Sequence, residues 1–550
     1  MGISCAVDGM AGLPIAFSGP RWLALLLQPL SGPPSTSAKH TTTPSVLFLL
    51  LKTIATSRSH RASTSRGQRE SALALAARTA TPPGTETGAG HGLNLAWELS
   101  TRTKSPRSHL RCENPQFCQA RTVRIDRLGD LGGAPAVLRA VGRATSRLDL
   151  PPPAALTGEW FGALAVIAPS VSIQPVSGDD VFSGPPGTGG PDATGAVGGG
   201  WVGYLSYPDA GADGRPHRIP EAAGGWTDCV LRRDRDGQWW YESLSGAPIA
   251  DWLASALATT RASVARPAPA CRIDWEPADR AAHRDGVLAC LEAIGAGEVY
   301  QACVCTQFAG TVTGSPLDFF IDGFGRTAPS RSAFVAGPWG AVASLSPELF
   351  LRRRGSVVTS SPIKGTLPLD APPSALRASA KEVAENIMIV DLVRNDLGRV
   401  AVTGTVTVPE LLVVRPAPGV WHLVSTVSAR VPLEEPMSAL LDAAFPPASV
   451  TGTPKLRARQ LISQWERYRR GIYCGTVGLA SPVAGCELNV AIRTVEFDTA
   501  GNAVLGVGGG ITADSDPDAE WAECLHKAAP IVGLPAATRT TPARLASKVR

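Results

Sequence analysis

The sequence predicts a mixed α/β (α+β) protein, on three observations. Short apolar or alternating runs that suit strands, such as residues 299–308 and 488–497, recur between stretches of helical period, such as 279–294 and 381–397. Hydrophobic residues make up 44% of the 550, enough for a sizeable core. The longest apolar runs, residues 22–27 and 46–51, are too short to span a bilayer, so no membrane association is expected.

The elements follow in chain order. Residues 1–120 are rich in Ser, Thr, Arg, Pro and Ala without a sustained period, and are expected to be disordered or a spurious extension upstream of the true start. Their Arg/Ser-rich, acid-poor character superficially resembles a transit peptide. Residues 121–265 read as an N-terminal subdomain of strands and turns, with a helix at 136–144 and two short strands within 161–176. A glycine-rich stretch, 183–200, lacks the lysine and hydroxyl of a phosphate loop and reads as a flexible loop. Residues 273–535 carry the sharpest signals: a helix over 279–294 ending at Gly295 and Gly297, a strand over 299–308, a helix over 381–397 and a strand over 488–497. A last helix opens with Asp516 as N-cap and Pro517 at its first position. Residues 536–550 read as a tail.

Charge and cysteines exclude some functions. Residues 1–120 hold twelve Lys/Arg against five Asp/Glu, whereas the rest holds 40 against 42. The net +5 therefore belongs to the head of the chain, and nothing supports nucleic-acid binding by the main body. Eleven cysteines form no CxxC pair and no zinc pattern, which suits free thiols in a reducing cytoplasm.

Three constellations carry chemistry. Glu382 and Glu385 are three apart on one helix, as are Glu520 and Glu523 on another, with Lys527 four residues further on. If the helices meet, clustered carboxylates call for a cation such as Mg2+; spacing alone equally describes solvated helix faces. The glycine-rich run 506–517 leads towards a helix and could offer backbone N–H groups to an anion, while Arg493 shares the polar face of its strand with Glu487 and Asn489 and could hold a carboxylate. Glu348 in SPEL and Lys364 in PIKGT could divide acid and nucleophile roles, or form a salt bridge at a sheet edge. The chain has only eight lysines, so an amine in PIKGT is notable: unlike arginine, lysine can lose its proton and attack.

In order, SPEL, PIKGT, ENIMIVDLVRNDLGRV, HLVSTV, FPPASVTGTPK, GIYCGTVGL, NVAIRT and GGGITADSDPDAEWAE resemble the chorismate-utilising enzymes over residues 279–534. That family includes anthranilate synthase component I, aminodeoxychorismate synthase component I, isochorismate synthase and salicylate synthase. The resemblance implies one large domain of two β-sheets packed as a sandwich with helices outside. It implies Mg2+ held directly by Glu385 and Glu523, with Glu382 and Glu520 on its waters. It implies the dicarboxylate chorismate as substrate, its carboxylates contacted by Arg493, Tyr473, Gly508 and Lys527, with Thr366 and His422 beside the ring, Gly365 and Gln301 also substrate-binding, and Glu348 as general acid.

Within the family, Gln301 stands where isochorismate and salicylate synthases have a lysine base. Lys364 resembles the lysine of aminodeoxychorismate synthases, where anthranilate synthases have alanine. The resemblance thus implies amination at C4 of chorismate, with amination at C2 to anthranilate as the alternative and a non-catalytic chorismate-binding regulatory subunit as the alternative of another class. Two departures stand out: RTAPSRSAF (326–334) replaces a proline-rich segment, and LTGEW (156–160) lacks the serine of a tryptophan-binding element. No G-x-C-x-G segment with a downstream His-x-Glu is present, so the resemblance implies that a glutamine amidotransferase partner supplies ammonia.

Overall fold

The computed structural model describes residues 123–183, 195–208, 217–262 and 271–534. The expectations for residues 1–120 and 536–550, and for the core of the glycine-rich stretch at 184–194, lie outside the described residues.

Among the described residues, strands form two antiparallel sheets of twelve and ten strands. The larger runs from Arg124–Gly129 at one edge, through Arg331–Gly337 and Thr494–Asp498, to Asn502–Ile511 and Gln301–Thr313 near the other. The smaller runs from Ile363–Pro368 and Val420–Arg430, through Leu349–Arg354 and Gly485–Asn489, to Gly200–Leu205 and its neighbours. Strands from before and after residues 263–270 share both sheets: Ala154–Trp160 pairs with Arg331–Gly337, and Gly200–Leu205 with Thr476–Ser481.

The sheets pack face to face through one apolar layer. Leu156, Val166, Val335 and Val342 from the larger sheet meet Val202, Tyr204, Val477 and Leu479 from the smaller. Alternation along each strand sends the other face outward, where helices cover it. Helices Ala134–Arg147, Pro316–Thr327 and Pro517–Val532 bury Val137, Leu138, Phe319, Phe320, Cys524 and Ile531 against the larger sheet. Helix Ala380–Gly398 buries Ile389, Val390, Val393 and Leu397 against the smaller. This is the expected two-sheet sandwich flanked by helices.

The local predictions hold well at helix starts. Helix Arg280–Gly295 is capped by Asp279, whose carboxylate accepts the Ala282 N–H at 3.0 Å, and Pro517–Val532 by Asp516, which accepts from Asp518 and Ala519. The strand expected over 488–497 is instead broken. Gly485–Asn489 belongs to the smaller sheet and Thr494–Asp498 to the larger, and the crossing between them places Arg493 at φ +51°. Arg493 therefore shares no face with Glu487 and Asn489. Glu487 is fully buried and accepts from Arg331, Arg352 and the Phe161 N–H, while Asn489 donates to Arg331 O and Ser344.

The two departing segments pack against each other. The Trp160 indole is wholly buried and donates to Ser332 O at 3.0 Å, and the Arg331 guanidinium lies 5.6 Å from the centre of its ring.

Candidate active site

Strand Asn502–Ile511 is the floor of the site. Its glycines, expected to offer backbone N–H groups to an anion, lie in a strand: Gly506, Gly508, Gly509 and Gly510 stand in register with Gln301–Thr313, and Gly508 turns its carbonyl to Lys527. What the missing side chains provide is room. A Cβ on Gly506 would strike the Tyr473 ring at 2.2 Å, one on Gly508 the Cys305 Sγ at 2.5 Å, and one on Gly510 the Gln301 Nε2 at 2.2 Å. The same Gly510 position lies 3.3 Å from Lys364 Nζ.

Lys364 is aimed there by its strand. Ile363–Pro368 pairs with Val420–Arg430, but the register slips between Ile363 and Thr366, leaving Lys364 and Gly365 in a bulge. Gly365 adopts φ +93°, and a Cβ there would stand 3.0 Å from Glu382 Oε2, so the turn demands glycine. Beyond the bulge Thr366 lies opposite His422, with Thr366 Oγ1 3.0 Å from His422 Nδ1. Burial, reinforced by the Arg493 charge, pushes the His422 imidazole down to about 4, so it is neutral at physiological pH.

Glu348 sits in the link between Gly340–Ser346 and Leu349–Arg354, 4% exposed. Burial raises its carboxyl to about 7, against the opposing influence of a Ser449 hydrogen bond, the Lys364 charge, the Ile363 backbone and Arg493. A carboxylic acid holding its proton near neutrality suits general-acid work. Gln301 is fully buried, and among the described residues neither of its amide atoms has a partner. Such a side chain points to a ligand or water.

The two helices bring the four glutamates within reach of one another's charge. Glu385 and Glu520 are buried, and one ammonium, Lys381, bridges the two helices at 4.0 Å from Glu385 and 3.6 Å from Glu520. Burial raises the Glu382 and Glu385 carboxyls above the usual range, and their neighbours' charges partly offset one another. Glu523 is held low: burial opposes this, but the Lys527 ammonium 2.7 Å away prevails. Lys527 also donates to Gly508 O at 2.8 Å. Among the described residues no group of three or more such side chains stands close enough to hold a metal ion. The donor chemistry nevertheless fits Mg2+: all oxygen, from two facing helices, with a cation already drawn among them.

A family model for chorismate binding enzymes matches residues 180–533. The chain belongs to that family. Aminodeoxychorismate synthase component 1 of Escherichia coli K12 is 42% identical over 243 residues, covering 43% of this chain and 53% of that protein. Aminodeoxychorismate synthase of Streptomyces griseus is 38% identical over 364 residues, 61% of this chain and 50% of that one. The chain thus spans about half the length of these curated relatives. Among solved structures, anthranilate synthase component I of Streptococcus pneumoniae superposes with a TM-score of 0.52 at 25% identity, covering 61% of this chain and 81% of its own.

For a chorismate-binding enzyme, the site gathers nearly all of the residues expected from sequence. Lys364, Glu348, Thr366, Gly365, His422, Gln301 and Arg493 are tied together by the distances and electrostatic influences above, and the four glutamates with Lys527 stand beside them. The Tyr473 ring packs onto the floor strand at Gly506. Sequence reasoning missed Lys381 and Ser449. Lys381 stands beside Glu382 and Ser449 lies inside FPPASVTGTPK, but only packing of distant segments shows what either touches.

Proposed function

We propose that the chain is the chorismate-aminating component of an aminodeoxychorismate synthase, forming 4-amino-4-deoxychorismate for para-aminobenzoate and folate synthesis. The observation that carries this is the convergence of an amine, Lys364, and a protonated acid, Glu348, beside the glycine floor. The similarity to the two aminodeoxychorismate synthases named above supports the same choice.

The chemistry follows from these groups. The nitrogen lone pair of Lys364 attacks C2 of chorismate, the two conjugated ring double bonds shift, and the C4–O bond breaks. Glu348 donates its proton to the departing hydroxyl, which leaves as water. Ammonia then attacks C4, both double bonds shift back and the C2–N bond to Lys364 breaks. Glu348 recovers a proton from the incoming nitrogen. The net change replaces hydroxyl by amine at C4 and keeps the enolpyruvyl group. Arg493, Tyr473 and Lys527 contact the substrate carboxylates, and neutral His422 with Thr366 orients the ring.

Glu385 and Glu523 would hold Mg2+ directly, with Glu382 and Glu520 on its waters; the metal would neutralise a substrate carboxylate. Ammonia comes from a separate glutamine amidotransferase subunit. The eight described cysteines are all free, which supports a reducing, cytoplasmic setting.

The test is chromatography and mass spectrometry of the product from chorismate, Mg2+ and an ammonium salt. Aminodeoxychorismate is expected, with glutamine used only once the partner is added. Anthranilate as the product would overturn the choice of C4, and absence of turnover would favour a non-catalytic binding subunit.

A further inference from the structure

Three of the eight lysines surround the four glutamates, and they are held differently. Lys527 is fixed by short bonds, 2.7 Å to Glu523 and 2.8 Å to Gly508 O. Lys364 lies in its bulge against Gly510. Lys381 stands at the rim, with 47% of its side chain exposed, and its contacts with Glu385 and Glu520 are ion-pair distances rather than close hydrogen bonds.

We propose that Lys381 is a displaceable internal counterion: its ammonium neutralises the glutamates until a divalent cation arrives, and the metal must expel it to bind. This rests on the metal site of the proposed function, and assigns to Lys381 control over metal affinity. Clustered carboxylates repel when bare, so an ammonium among them stabilises the metal-free fold while competing with the metal. A lysine suits the task, since a point charge on a flexible stem can swing into solvent, whereas an arginine fork grips two carboxylates at once.

The experiment is calorimetric titration of the full chain with Mg2+ alone, with thermal melts beside it, on wild type, Lys381→Gln and Lys381→Arg. Lys381→Gln should bind Mg2+ about tenfold more tightly and gain more melting temperature from Mg2+ than wild type, while Lys381→Arg should bind more weakly. Equal or weaker binding by Lys381→Gln, with wild type binding normally, would overturn the role of Lys381 and leave the metal site standing. Failure of all three proteins to bind Mg2+ would instead overturn the metal site, and this inference with it.

Discussion

Thr366 Oγ1 lies 3.0 Å from His422 Nδ1, the two residues facing each other across neighbouring strands. The contact holds a buried imidazole whose value, lowered by burial and by Arg493 to about 4, lies below the ~6.5 of an unfolded histidine. Between those values the unfolded chain binds more protons than the folded one, so stability is complete above about pH 6.5 and is lost as pH falls towards 4. Wild type should therefore lose more melting temperature between pH 7 and about pH 4.5 than His422→Gln does. His283, likewise lowered to about 4 by burial, is present in both proteins and does not disturb the comparison. Equal losses would mean that His422 is not buried as a neutral base.

Glu348 sets the other end of the pH profile. Its carboxyl, raised to about 7 by burial, donates only while protonated, so chorismate turnover should fall as pH rises through about 7. Glu348→Gln should lower kcat by roughly 100-fold or more. Ser449 donates a hydrogen bond that favours the charged form, so Ser449→Ala should move the alkaline limb to higher pH and leave the KM for chorismate near wild type. An unmoved limb would show that Ser449 does not act on Glu348.

Lys364 discriminates nucleophile from mere charge. Both Lys364→Ala and Lys364→Arg should lower aminodeoxychorismate formation by about 1000-fold or more, because arginine keeps the charge but cannot attack. Incubated with chorismate without ammonia, wild type should gain the mass of chorismate less one water on Lys364. An arginine variant working within about tenfold of wild type would return Lys364 to an electrostatic role.

Much of this was legible in the sequence because it is local. Helix caps such as Asp279 and Asp516, the spacing of Glu382 with Glu385, and the lone amine of PIKGT are written in a few adjacent residues. What was not legible depends on crossings between sheets. The segment around Arg493 reads as one strand because its period is unbroken, yet it passes from one sheet to the other. The glycines at 506–510 read only as backbone open to an anion because a further role, making room for Tyr473, Cys305 and Gln301, belongs to side chains far away in sequence.

Lys455 offers a last test, on stability. Its ammonium spends all three hydrogens on buried acceptors: Asp396 Oδ2 at 2.6 Å, Ala444 O at 2.8 Å and Pro446 O at 2.9 Å. Burial raises Asp396 to about 6 even with Lys455 beside it, so the carboxylate depends on that partner. Removing one member of a buried pair strands the other, and Lys455→Met should cost about 3–5 kcal/mol in denaturant unfolding. The double variant Lys455→Met/Asp396→Leu should recover much of that loss, since no unpaired charge remains. Lys455→Arg should also destabilise, because a planar fork cannot reach three acceptors set around one nitrogen. These carbonyls lie on the chain leading to Ser449, so Lys455→Met should also slow turnover, an effect the stability-restoring double variant would retain. A Lys455→Met protein as stable as wild type would show that the pair contributes nothing to holding that segment.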